Sequence, residues 1–250
     1  LIPASEPEAL IHEPGEDGAA IGSIHRPDIS TVMKQISYLM IIPFLQLSAG
    51  LTGQASAWDR WDPEVVRNLF TSRGIPYLNE EEQKVILFMN MARSNGALFA
   101  ETFVKTFVEE NQVENSSYLR SLYQDLKSIS GLPALIPEED LTAVAQGHAT
   151  RSGETGQVGH KDMDKRFAPL RGNPYDAWGE NCSYGFEDAI SIVITLLIDE
   201  GIKEMGHRRN ILNQSYNSVG VAIRPHRSYR VNCVIDFGKK NRSDLNQVPY

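Results

Sequence analysis

Apolar positions in this chain recur with two different periods, and the switch between them sketches the fold. Val85, Phe88, Met89 and Ala92 follow helical spacing behind Asn79, a capping residue, and Glu80, Glu81 and Glu82, which suit a positive helix end. Gly96 is expected to end or bend that helix, with a second helical piece over 97–108 and a polar loop over 109–117. Leu119, Leu122, Tyr123 and Leu126 predict an amphipathic helix over 118–129, and Leu141, Val144, Ala145 and His148 another over 138–151. The run 188–199 is apolar on most sides and too short to span a bilayer; its β-branched content suits a buried helix or a buried strand. Segments 218–223 and 229–237 read as strands joined by 224–228, a hairpin, with 178–184 as a third strand. Helices packed on an antiparallel sheet make an α+β fold. Segment 58–79, with Trp58, Trp61, Phe70 and Tyr77, reads as a lead-in packed on that domain, and the tail from 239 to 250 as frayed.

Upstream of the lead-in the pattern changes. Met33 and Lys34 precede a short apolar core from Ile36 to Leu47, and Ala55-Ser56-Ala57 matches the small-x-small signature of a cleavage site. Pro43 and Gln46 interrupt the core, which falls short of the roughly 20 residues a membrane span needs. Residues 33–57 are therefore expected to act as a secretory signal, with cleavage near Ala57 and a mature chain beginning at Trp58. Residues 1–32 are rich in Pro, Gly, Ala and acid without apolar periodicity, as in disordered sequence or a stretch upstream of a translation start at Met33.

Composition adds exclusions. With 41% hydrophobic and 22% charged residues over 250 positions, the chain is ordinary for a soluble globular protein. Its net charge of −8, with no basic stripe, argues against a nucleic-acid partner. No H-E-x-x-H helix and no G-x-S-x-G elbow occurs, so the usual zinc-protease and serine-hydrolase signals are missing.

Chemistry concentrates in three short segments: Gly159-His160-Lys161-Asp162, Trp178-Gly179-Glu180-Asn181, and Gly206-His207-Arg208-Arg209-Asn210-Ile211-Leu212-Asn213. In each, a glycine precedes the polar group and allows a tight turn or close approach. Two imidazoles and a carboxylate can bind a divalent ion, move protons, or hold one another in a polar network. Taken alone, His160 after a glycine also suits a solvated loop, Glu180 a cap of backbone amides, Arg208 to Asn210 a solvated helix start, and His148 a packing or hydrogen-bonding role in its helix. Cys182 and Cys233 both fall on strand candidates. In an exported chain they are expected to pair as a disulfide worth about 4 kcal/mol in the chain-entropy model. The competing reading makes Cys182, two residues after Glu180 on one strand face, a nucleophile.

In order, these segments resemble the CAP superfamily of cysteine-rich secretory proteins, venom antigen-5 proteins, plant pathogenesis-related proteins and bacterial secreted relatives, above all its bacterial branch. The likeness runs over roughly residues 80–238. It opens with Met89-Asn90-Met91-Ala92-Arg93-Ser94-Asn95 and Phe99-Ala100. Leu132-Pro133-Ala134-Leu135, the helix with Ala145, His148 and Ala149, and His160 come next. The Gly-Glu-Asn and Gly-His-Arg segments and Val219-Gly220-Val221-Ala222 complete it. The resemblance implies the three-layer α–β–α sandwich of the CAP fold and tips 188–199 to helix. It also implies a cleft with two histidines and two acids, matched here by His160, Glu180 and His207. The second acid is expected to be Glu200, with Asp199 and Glu204 as competitors.

Three function classes follow. The leading one is a secreted CAP domain without defined catalytic activity, whose cleft binds a divalent metal such as zinc through His160 and His207, or a small ligand, lipid, cell-envelope or protein partner. The second is a metal-assisted hydrolase using Glu180 with His160 and His207. The third is a structural envelope module with a vestigial cleft.

Overall fold

The computed structural model of the chain describes residues 56–170 and 174–241. Segment 1–32, the core of the expected signal and the end of the tail lie outside them; Ala57 opens a 3-10 turn, Ala57–Arg60. The first helix, α1 (Pro63–Leu69), is capped by Asp62 and lies on the surface. Helix α2 (Glu80–Ser94) begins where its sequence predicts: Asn79 accepts from the Glu82 amide while Glu82 reaches back to the Asn79 amide, a closed capping box. Ile86, Leu87 and Met91 are buried along with the predicted face, because the helix runs through the main core rather than over it. Gly96 starts a short helix, α3 (Gly96–Phe99), which continues through a π-helical stretch, Ala100–Val104, into α4 (Lys105–Glu110). Helix α5 (Ser117–Ser128) follows, capped by Ser116.

The sheet has four strands. β1 (Ile136–Pro137) pairs parallel to β3 (Ser218–His226); β3 pairs antiparallel to β4 (Arg230–Lys240), and β4 antiparallel to β2 (Tyr175–Tyr184), giving the order β1-β3-β4-β2. The sheet is therefore mixed, where sequence alone predicts an antiparallel one. β1 is two residues long and ends on a proline, too short to display alternation. The hairpin is longer than expected, its strands reaching His226 and starting again at Arg230, and Lys239 and Lys240 pair with β2 instead of fraying. Helix α6 (Glu139–Thr155) covers one face of the sheet together with α7 (Met163–Phe167). On the other face lie α2 and α8 (Ala189–Ile198), with Ile192, Val193, Ile194 and Leu197 in the main core. A short helix, α9 (Gly206–Leu212), follows. The result is an α–β–α sandwich.

Two buried arginines bolt the elements together. Arg93 donates to the carbonyls of Pro133, Ile211, Asn213 and Tyr216, tying α2 to the end of α9, and burial lowers its pKa to about 10, so it stays charged at neutral pH. Arg208, in a segment that reads as a solvated helix start, is 2% exposed; it donates to the carbonyls of Leu197, Ile198 and Tyr118, to Ser121, and to Asp125 at 2.8 Å. Only Arg209 of the pair faces water.

The expected disulfide does not form: Cys182 and Cys233 are both free and buried. Register explains it. Cys182 lies opposite Val234 and Cys233 opposite Ser183, so the two are one step out of phase on adjacent strands and project from opposite faces. Cys182 packs with Ala145, Ala149 and Val234 under α6, while Cys233 belongs to the core beneath α2 and α8.

Candidate functional site

Glu180 stands near the middle of β2 on the face covered by α6 and α7, 4% exposed. The Arg166 guanidinium grips its carboxylate with both arms, Nη1 at 2.5 Å from Oε2 and Nη2 at 2.9 Å from Oε1. His160 Nδ1 lies 2.8 Å from Oε1. Burial pushes the Glu180 pKa up, but the bonds from His160 and Arg166 and the Arg166 charge outweigh it and bring the pKa down to about 2. A carboxylate only accepts, so His160 Nδ1 carries the hydrogen, and in the neutral ring the lone pair belongs to Nε2.

The loop presenting His160 is held at three points. Gly159 adopts φ +84°, a conformation that favours glycine; its amide donates to the Tyr184 hydroxyl at 2.8 Å and its carbonyl accepts from His148 Nε2 at 2.9 Å. His226 Nε2 donates to the Gln157 carbonyl at 3.0 Å. His148 is thus a hydrogen-bonding residue, 5% exposed, with its pKa lowered first by burial even though Glu180 Oε1 is 3.8 Å away.

His207 opens α9 beside the other acid. Asp199 ends α8 in the left-handed conformation, φ +59°, and turns its carboxylate back onto α9. Oδ1 accepts from His207 Nδ1 at 2.7 Å, and Oδ2 accepts from the amides of His207 and Arg208 at 2.9 and 3.2 Å. The expected second acid, Glu200, is instead exposed and accepts from Ser116 at the start of α5; Glu204 is exposed as well. Left-handed Asp199 sends neighbouring side chains in different directions, so the sequence pattern around Glu200 points one residue too far. Among the described residues, three of the five non-glycine positions with positive φ border the two histidines: Asp162 and Met205 lie two residues from His160 and His207, and Asp199 bonds the His207 ring; strain of this kind gathers at functional sites.

The Gly-Glu-Asn and Gly-His-Arg segments interlock through residues that sequence reading left without a role. Asn181 points to the opposite face from Glu180 and donates to the His207 carbonyl at 3.0 Å; Asn210 donates to Asn181 Oδ1 at 2.9 Å. Gly179 leaves room for Asn210 and Tyr216: a Cβ there would lie 2.7 Å from the Tyr216 hydroxyl and 3.0 Å from Asn210 Oδ1. The arrangement brings the His160 and His207 rings to 6.4 Å between centroids, with side chains 31% and 22% exposed. Arg166, Tyr184 and His226 carry no motif of their own, and only the fold reveals them; Asn210 stands in the Gly-His-Arg segment but is buried rather than part of a solvated helix start.

Among the described residues, two donor sets are candidates for a cation. His148, Glu180 and Cys182 have ligand atoms within 4.8 Å of one another. Their chemistry fits a cation poorly. His148 Nε2 donates to a carbonyl, both Glu180 oxygens are held by Arg166, and the Cys182 thiol is pushed far up by burial and by Glu180. His160 and His207 fit better, since each has its Nδ1 on a buried carboxylate and its Nε2 left over.

A family model for the cysteine-rich secretory protein (CAP) family matches residues 113–237, half of the chain. Among solved structures, an outer surface protein from Borrelia burgdorferi is similar at 17% identity and a TM-score of 0.37, covering 52% of this chain and 97% of that one. A cysteine-rich secretory protein from Staphylococcus aureus is similar at 20% identity and a TM-score of 0.37, over 51% of this chain and 40% of its own. No curated protein sequence matches.

Proposed function

We propose that this chain, which belongs to the CAP family of cysteine-rich secretory proteins, is an exported domain whose cleft binds one divalent metal ion through the Nε2 atoms of His160 and His207. The observation that carries the reading is the matched pair of carboxylate–imidazole bonds, His160 to Glu180 at 2.8 Å and His207 to Asp199 at 2.7 Å. Acids behind the rings fix tautomer and orientation and raise ligand basicity, the arrangement common behind metal-ligating histidines. Zinc suits imidazole donors and commonly takes four ligands, so two histidines leave positions for water or for an oxygen of a small ligand or partner. The metal would supply Lewis-acid attraction for that oxygen. Export is supported by the signal pattern over 33–57 and by the family's secretory character.

The hydrolase reading needs Glu180 to take a proton from water, and a carboxylate held at a pKa of about 2 by its bonds from His160 and Arg166 is a weak base for that step. Binding is therefore the better-supported use of the cleft. Cobalt(II) added to the purified protein tests it: a visible spectrum of nitrogen-ligated cobalt that vanishes in both His160→Ala and His207→Ala supports the shared site. A spectrum unchanged in both leaves the cleft as a structural feature only.

A further inference from the structure

Asp236 lies beneath the cleft on β4, directly opposite Glu180 on β2, with no exposed surface. Neither of its carboxyl oxygens receives a hydrogen bond from any donor among the described residues. An ionised carboxylate in that position would be unsolvated, without a donor, and beside a second negative charge. The Arg166 charge offsets only part of this cost, and no other charged or titratable group around it among the described residues supplies a donor. Arg166 is committed to Glu180 in bidentate fashion, His148 is kept neutral by burial, and the Cys182 thiol stays protonated.

We propose that Asp236 is a neutral carboxylic acid at physiological pH, donates its proton to Glu180, and so acts as a positioning residue for the Glu180–His160 pair. A protonated carboxyl supplies the one thing this arrangement lacks, a donor from the β4 side, and Glu180 is the acceptor that the strand register puts across from it. The two acids then hold one proton and one negative charge between them, balanced by Arg166. Burial, followed by the Glu180 charge, drives the Asp236 pKa far above its ordinary value, in keeping with that geometry. The inference concerns the floor of the cleft and stands whether or not His160 and His207 bind metal.

Infrared spectroscopy of the wild-type protein at pH 8 tests it without any variant: the absorption of a protonated carboxylic acid is expected, and its absence overturns the proposal. Asp236→Asn keeps shape and a donor toward Glu180, so it should remove that absorption. The sign of its pH dependence follows from linkage. A folded-state pKa above the unfolded value costs wild type stability as pH rises through and beyond the unfolded pKa, and the variant lacks that loss. The denaturation midpoint of Asp236→Asn should therefore gain on wild type steadily from pH 4 to pH 8. A gap that is flat or closes over this range contradicts the proposal. Nitrogen NMR gives the positioning readout: the His160 Nδ1–H signature should persist in Asp236→Asn and change in Asp236→Leu, which has no donor. An unchanged signature in Asp236→Leu removes the positioning role.

Discussion

Asp199 holds His207 twice, through the ring Nδ1 at 2.7 Å and through the backbone amide at 2.9 Å, and so serves as both orienting acid and helix cap. Replacing it with alanine should cost about 1 kcal/mol or more from the lost cap. Metal affinity should also fall, by roughly 10- to 100-fold, because the ring loses its orienting acceptor. Glu200→Gln serves as the control and should leave both unchanged, since Glu200 faces Ser116. Chemical denaturation and metal titration of the two variants check this; equal effects would put the second acid back at Glu200.

The Glu180–Asp236 pair should give stability a maximum near pH 4. Glu180, with its folded pKa lowered to about 2, contributes stability that is present above its ordinary range and lost as pH falls toward 2. The full linkage value, on the order of 3 kcal/mol, is an upper bound because the two acids titrate together. Asp236, shifted upward, contributes stability present at low pH and lost as pH rises. Glu180→Gln should abolish the acid limb and also make the upper one shallower, because the Glu180 charge helps raise the Asp236 pKa. Unfolding free energies measured from pH 2 to 8 in wild type and variant separate the limbs.

Both cysteines should react only after unfolding. Native protein is expected to show no accessible thiol and denatured, unreduced protein two, because each is buried on its own side of the sheet. Reductant should leave the melting temperature unchanged. A stability loss on reduction would require the strands to pair in another register.

Gly179→Ala should destabilise by about 1–3 kcal/mol through overpacking, since the new methyl meets the Tyr216 hydroxyl and Asn210. Its effect should extend to the His207 ring, because Asn210 supports Asn181 and Asn181 holds the His207 carbonyl. Calorimetric melting and the His207 ring resonances in NMR report the two consequences. A stable variant with an unmoved His207 would mean this buried network has slack.

What the sequence discloses divides along physical lines. Helix α2 is legible because its signals are local: Asn79, Glu82 and the apolar run all lie within one stretch. His160, Glu180 and His207 are singled out as candidates because each sits in a distinctive segment. Features that depend on long-range register are hidden. Whether Cys182 can reach Cys233 turns on a one-residue phase between strands some fifty positions apart, which no local pattern encodes. Asp236 reads as one polar position in a strand, and only its place opposite Glu180 makes it unusual. Asp199 and Glu200 are neighbours in sequence, and the left-handed turn at Asp199 decides which of them reaches the cleft.

One divalent site shared by His160 and His207 is checked by zinc calorimetry on wild type, His160→Ala, His207→Ala and Cys182→Ser. Wild type and Cys182→Ser should each bind one equivalent, and both histidine variants should lose binding. Binding that survives the histidine substitutions but fails in Cys182→Ser would move the site to His148, Glu180 and Cys182, and no binding by wild type would contradict the metal reading altogether.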